Sequence, residues 1–208
     1  MANDNYPRGL VPLNFDINQA HYYRVATATD IFLGMPVSLA STGFVGGAAT
    51  GGAGGVVVLG VAIGFAGTLK RGTATNDPFL DVSDLAPPSP TSDTGDRWVL
   101  VADNPTQEFY IQEDSGGTAL AIADIGASAS LVFRGQGNTV DGNVDTGWAN
   151  LELDASTIAA ATDGVLTVLG LHDAVNSDGT ENSVGDFAKW VVRITNHQKV
   201  GLQAVAQV

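Results

Sequence analysis

The chain contains no cysteine, which excludes a disulfide framework, a thiolate metal site and a cysteine nucleophile together. It is also poor in positive charge: nine Lys and Arg face 22 Asp and Glu, for a net charge of −13. A surface of that sign is repelled by phosphate backbones and anionic lipid, so neither nucleic acid nor a membrane is an expected partner. The same charge suits docking on a basic surface, and equally keeps a crowded protein soluble. Charged residues make up only 15% of the 208, while 44% are apolar. That is the apolar content of a folded protein whose surface is wetted mainly by Thr, Ser, Asn, Gln and backbone. The three histidines, His21, His172 and His197, stand far apart and share no metal-type spacing. The opening residues lack the basic and apolar regions of a secretory signal, so synthesis in a cytoplasm is the expectation.

What the chain has in quantity is glycine, 26 residues of it, set among Val, Thr, Ala and Asp. Short strands joined by tight turns fit that mixture better than helices. Residues 1–18 carry Pro7 and Pro12 and no sustained periodicity, and read as an extended arm. Its Tyr6, Leu10, Val11, Leu13 and Phe15 are apolar enough to dock on a partner surface or on the chain's own domain. Tyr22–Ala28 and Asp30–Val37 suggest two strands around a polar turn. Residues 43–69 contain no charge, but ten glycines crowd positions 43–67, and from Val56 onward bulky and small residues alternate. Val57, Leu59, Val61, Ile63, Phe65 and Leu69 fall on one face, with Gly60, Ala62, Gly64 and Ala66 on the other. Period two marks a strand, not a membrane helix. Its small face invites close approach by another backbone, such as a neighbouring subunit, and Gly43–Gly55 reads as a flexible hairpin tip.

The Pro-rich residues 87–95 form the best boundary between a first β module at 19–86 and a second at 96–208. In the second, runs at 98–101, 109–111, 130–133, 151–153, 165–169 and 189–194 are separated by turn residues. In the last of them Trp190, Val192 and Ile194 share the face opposite Lys189 and Arg193, the pattern of a half-buried antiparallel strand. A short helix is expected only near 155–161. The expected fold is mainly β: one or two small antiparallel barrel or sandwich modules with an extended N-terminal arm.

Motifs that carry chemistry are weak here. The Asp-Thr-Gly triplets at 93–95 and 145–147 resemble those of acid proteases, yet turns use Asp and Gly constantly. Asp141, Asn143, Asp145 and Glu152 occupy positions one, three, five and twelve of a calcium loop, but Thr146 stands where the bend needs glycine; a polar hairpin is the alternative. His172-Asp173 lacks a Gly-x-Ser-x-Gly partner. No phosphate-cradling glycine loop is present. No cofactor is expected.

Three stretches, Arg97 to Asp114 (beginning Arg97-Trp98-Val99-Leu100-Val101), Leu151 to Thr157, and Ala188 to His197 (Ala188-Lys189-Trp190-Val191-Val192-Arg193-Ile194-Thr195-Asn196-His197), resemble structural proteins found beside the major capsid protein in tailed phages. The likeness spans about half the chain. In the N-terminal half, Ala28-Thr29-Asp30-Ile31, Gly34-Met35-Pro36-Val37 and Leu59-Gly60-Val61-Ala62 are similar in style to small β-rich decoration proteins. The resemblance implies a non-enzymatic cement protein on the capsid exterior, binding over symmetry axes, often as homotrimers, with the major capsid protein and itself as partners. It implies an N-terminal arm reaching across capsid subunits, with Tyr6, Arg8, Leu10, Val11, Leu13 and Phe15 as capsid contacts. Removing residues 1–14 is then expected to weaken binding and leave the fold intact. A receptor- or carbohydrate-binding β module of a head fibre or tail, using Trp148, is the alternative; a hydrolase with an unrecognised site is a third reading.

Overall fold

The computed structural model describes residues 3–25, 31–48, 56–66, 79–80, 98–133, 142, 146–160 and 164–200. The architecture is mainly β, as the composition requires. In chain order the strands are β1 (Val11–Pro12), β2 (Ala20–Arg24), β3 (Ile31–Phe32), β4 (Pro36–Leu39), β5 (Val45–Gly47), β6 (Gly60–Ala66), β7 (Phe79–Leu80), β8 (Trp98–Ala102), β9 (Glu108–Gln112), β10 (Ser128–Phe133), β11 (Leu151–Asp154), β12 (Leu166–Leu171) and β13 (Lys189–Ile194). The helical segments among the described residues are 3-10 turns, the longest of them Ala155–Ala160, where the sequence predicts a short helix.

Six strands form one antiparallel sheet in the order β1-β9-β13-β12-β10-β11. This sheet curls into a half-barrel. Its far strand β11 returns to the end of β9, where the Asp114 N–H donates to the Leu153 carbonyl at 3.0 Å. A second sheet has the order β2-β8-β6-β4-β5, and a parallel bridge from Val25 to Val45 brings its two edges together. Strands β3 and β7 pair separately.

Alternation decides which side chains enter the core. In β13, Trp190 and Val192 are fully buried and Ile194 nearly so; Lys189, Val191 and Arg193 point the other way, as period two demands. In β9 the buried apolar pair is Phe109 and Ile111, which leaves Tyr110 on the outer face. One apolar cluster draws on both sheets, from Val37, Val61 and Val101 through to Leu153, Leu166 and Trp190.

Three expectations change on contact with this topology. The division at 87–95 falls outside the described residues, and the sheets do not follow it: β8, assigned to the second module, pairs with β2 and β6. The small residues of β6 meet this chain's own neighbouring strand: a Cβ on Gly60 would strike Ala102 and Asp103 at the end of β8, while Gly64 faces the Leu100 side chain. The strand expected across Asp30–Val37 breaks into β3 and β4. Gly34 takes φ +80° there, a conformation that strands of L-residues avoid. It lies so close to Gly9 that a Cβ on either would collide with backbone at the other crossing point. The Gly34 carbonyl accepts from the Leu10 N–H at 2.9 Å and its N–H donates to Ala62 at 2.8 Å.

Candidate functional site

The N-terminal segment runs over the six-stranded sheet as a strap. Asn3 is buried, its side chain donating to the carbonyls of Ser183 (2.8 Å) and Asp186 (3.1 Å) and accepting from the Ser183 N–H at 3.1 Å. The Tyr6 N–H donates to Gln112 Oε1 at 2.8 Å, and Gln112 Nε2 donates to Asn5 (3.1 Å) and to the buried Glu152 (2.7 Å). Val11 and Pro12 pair with Tyr110 and Phe109. The Leu13 N–H donates to Glu108 at 2.9 Å, and its carbonyl accepts from Gln107 at 2.6 Å.

This settles where the six expected arm contacts lie. Leu10 is fully buried in the core and is removed from the list, because a side chain with no exposed surface touches no partner. Val11, Leu13 and Phe15 are half-buried against the chain's own sheet, whereas Tyr6 and Arg8 are exposed. The same burial and pairing argue against the expectation that residues 1–14 can be deleted without harm to the fold.

Tyr6 and Arg8 border a cleft of about 610 Å³ between the strap, the outer face of β9 and β13, and the segment 172–177. That volume falls within the range of small-ligand sites. One wall is a ring pair: Tyr110 and His172 stack with centroids 4.7 Å apart and planes 10° from parallel. Burial pushes the His172 imidazole below its ordinary value, the nearby Lys189 adds to this, and Asp173 opposes it. The Lys189 ammonium donates to Asn176 at 3.1 Å. Arg8 lies over the Tyr6 ring at 4.9 Å and the Trp148 ring at 5.7 Å. Such contacts orient a guanidinium without consuming its in-plane donors. Asp4, also in the lining, is engaged by the Ser177 N–H.

The sequence reading missed Tyr110, His172 and Lys189 as neighbours. The signal available was that Tyr110 and Lys189 occupy the outward positions of their strands; only the pairing of β9 with β13, where Gln112 stands opposite Lys189, makes them adjacent. His172 lies flat on a tyrosine, and among the described residues neither of its ring nitrogens hydrogen-bonds a hydroxyl. Trp148 is half-buried, with the Arg8 guanidinium 5.7 Å from its ring centroid. Of the calcium-loop positions, Asp141, Asn143 and Asp145 lie outside the described residues, as does Asp93; Glu152 is buried beside Gln112.

Two buried acids lie away from the cleft. Asp103, 1% exposed, accepts from His21 Nδ1 at 2.9 Å, from the Tyr23 hydroxyl and from the Lys199 ammonium. Burial pushes its carboxyl up, but those three donors, Lys199 foremost, outweigh burial and hold it below the usual range. Burial and the Asp103 carboxylate together raise the Tyr23 phenol. This node ties β2, β8 and the segment after β13. Glu113 is fully buried; its Oε2 accepts from Trp190 Nε1 at 2.9 Å and from the Leu120 N–H at 3.1 Å. Its Oε1 has no partner among the described residues. Burial raises this carboxyl to about 7 against those two donors, with Asp114 and Asp186 adding repulsion.

Among the described residues no group of three His, Asp or Glu is placed to hold a metal ion. A scan against protein-family models and searches of curated proteins and of solved structures return no match.

Proposed function

We propose that this protein is a non-enzymatic virion structural protein that binds the outer surface of an icosahedral phage capsid and stabilises it, acting as a homotrimer on the major capsid protein. The observation that carries the reading is the strap: residues 3–13 are bound to the chain's own β scaffold and leave Tyr6 and Arg8 exposed beside the cleft. An adhesion protein benefits from this arrangement, because contacts held in place before binding lose little entropy on binding. Three linked copies on a symmetric shell would multiply a modest affinity per site. The stretches that resemble phage head proteins support the reading from another side; in the structure they are β8 with β9, β11 and β13.

The test is to mix the purified protein with undecorated, expanded capsids and measure bound copies. A saturating number related to the shell's symmetry supports the reading, together with a trimer in sedimentation. A lone subunit that ignores shells overturns it, and so does turnover of a substrate by the purified protein. Binding to host cells in the absence of any capsid would favour the receptor-binding alternative.

A further inference from the structure

We propose that the cleft beside the strap seats an acidic segment of a partner protein, with the Arg8 guanidinium and the Lys189 ammonium receiving one Asp or Glu carboxylate and the Tyr110–His172 pair flanking it. The inference rests on the adhesion reading for the identity of the partner, but its chemistry stands on the cleft alone.

The chain has nine Lys and Arg against a net charge of −13, and two of those nine line this one cleft. Among the described lining residues the only acid is Asp4, whose Oδ2 accepts from the Ser177 N–H, so two cations face one carboxylate there. Arg8 has no ion pair and no hydrogen bond among the described residues; its contacts are the rings of Tyr6 and Trp148. A guanidinium held by ring faces keeps a planar fork of N–H donors, the shape that matches a carboxylate with two parallel bonds. Lys189 uses one donor on Asn176 and has two left, since an ammonium carries three.

The rim favours a peptide over a free anion. Tyr6 is 49% and Val175 67% exposed, so apolar surface lies within reach of whatever the cations hold. A volume of about 610 Å³ exceeds what one small ion fills and suits an acidic residue with a neighbouring apolar one.

The probes are acetyl-Phe-Asp-amide, acetyl-Phe-Asn-amide and sodium phosphate, titrated into the full chain while the Tyr110 and His172 ring signals are followed by NMR. The Asp peptide should shift both rings saturably and the Asn peptide should not. Replacing Arg8→Gln should weaken the Asp peptide by about tenfold or more, as loss of a charge-assisted pair does. Arg8→Lys should retain part of the affinity, and Lys189→Met should weaken it independently. Unchanged thermal melting of each variant shows that the fold is intact. Equal binding of the Asn peptide overturns the proposal, as does wild-type affinity in Arg8→Gln; displacement of the peptide by phosphate at equal concentration overturns the choice of a carboxylate. The capsid assay separates the two readings. Peptide binding without shell binding removes the virion role and leaves the cleft assignment standing; full shell binding by Arg8→Gln, with peptide binding lost, shows that docking does not use the cleft.

Discussion

At the scale of single residues, two positions expose the physics most directly. Gly34 combines φ +80° with close contact to Arg8 and Gly9. Gly34→Ala should therefore cost about 1–2 kcal/mol for the left-handed backbone alone, and more from collision with the strap, measured as a fall in the midpoint of urea unfolding. Glu113 is the second. Its folded-state carboxyl is raised from 4.5 to about 7, so the stability it contributes is present in full below its unfolded value and is lost as pH rises through about 7. The loss is on the order of 3 kcal/mol, because each tenfold change in proton affinity between the folded and unfolded chain is worth about 1.4 kcal/mol. Glu113→Gln keeps an acceptor for Trp190 and Leu120 and cannot ionise. It should melt at a higher temperature than the parent at pH 8 and near the parent's temperature at pH 5. A variant less stable than the parent at pH 8 contradicts the assignment.

At the scale of elements, the strap is part of the fold rather than an appendage. Leu10 is fully buried and β1 completes the edge of the six-stranded sheet. Deleting residues 1–14 removes that core side chain and bares the edge of β9. The truncated chain should lose about 2–5 kcal/mol from Leu10 alone, on the scale of a large core side chain cut back. Circular dichroism melting measures this, and a truncation that melts like the parent would show that the strap is dispensable. The Asp103 node is an element-level clamp of opposite pH sign. Its carboxyl is held below the ordinary 3.8, so its contribution is present above that value and fades as pH falls through the lower folded one. Asp103→Asn should remove this acid-side slope and destabilise at pH 7, leaving Lys199 without its buried partner.

At the scale of the whole molecule, charge governs association. With −13 overall and a locally cationic cleft, salt has two effects of opposite sign. It screens repulsion between an acidic protein and an acidic partner, and it weakens the Arg8 contact itself. Screening operates over about 8–10 Å at physiological ionic strength, so the association rate with an acidic partner should rise with added salt while the bound lifetime shortens. Stopped-flow association and dissociation measured between low and physiological salt check both.

Much of the fold was legible from local pattern. The alternation in Lys189–Ile194 names the buried face of β13, and the size alternation after Val56 marks β6, because side-chain period follows from backbone geometry alone. The break at Gly34 was not legible, since a glycine within an apolar run is compatible with a continuous strand until a second chain segment crosses it. The site was half legible. Tyr6 and Arg8 stand out in an extended, Pro-bearing segment, but the sequence groups Leu10 with them although it is fully buried, and no local rule separates outward from inward without a partner sheet.

By itself the sequence determined the chemistry available to this protein: no thiol, few cations, a strongly acidic surface, and short alternating strands. Tertiary structure alone decided that β8 enters the sheet of β2 and β6, that the N-terminal segment binds its own scaffold, and that Arg8, Tyr110, His172 and Lys189 meet at one cleft. The reason is that composition and period are properties of neighbours along the chain. Strand order and the meeting of residues more than 150 positions apart depend on which edges pair, and that is chosen by the burial of the whole core.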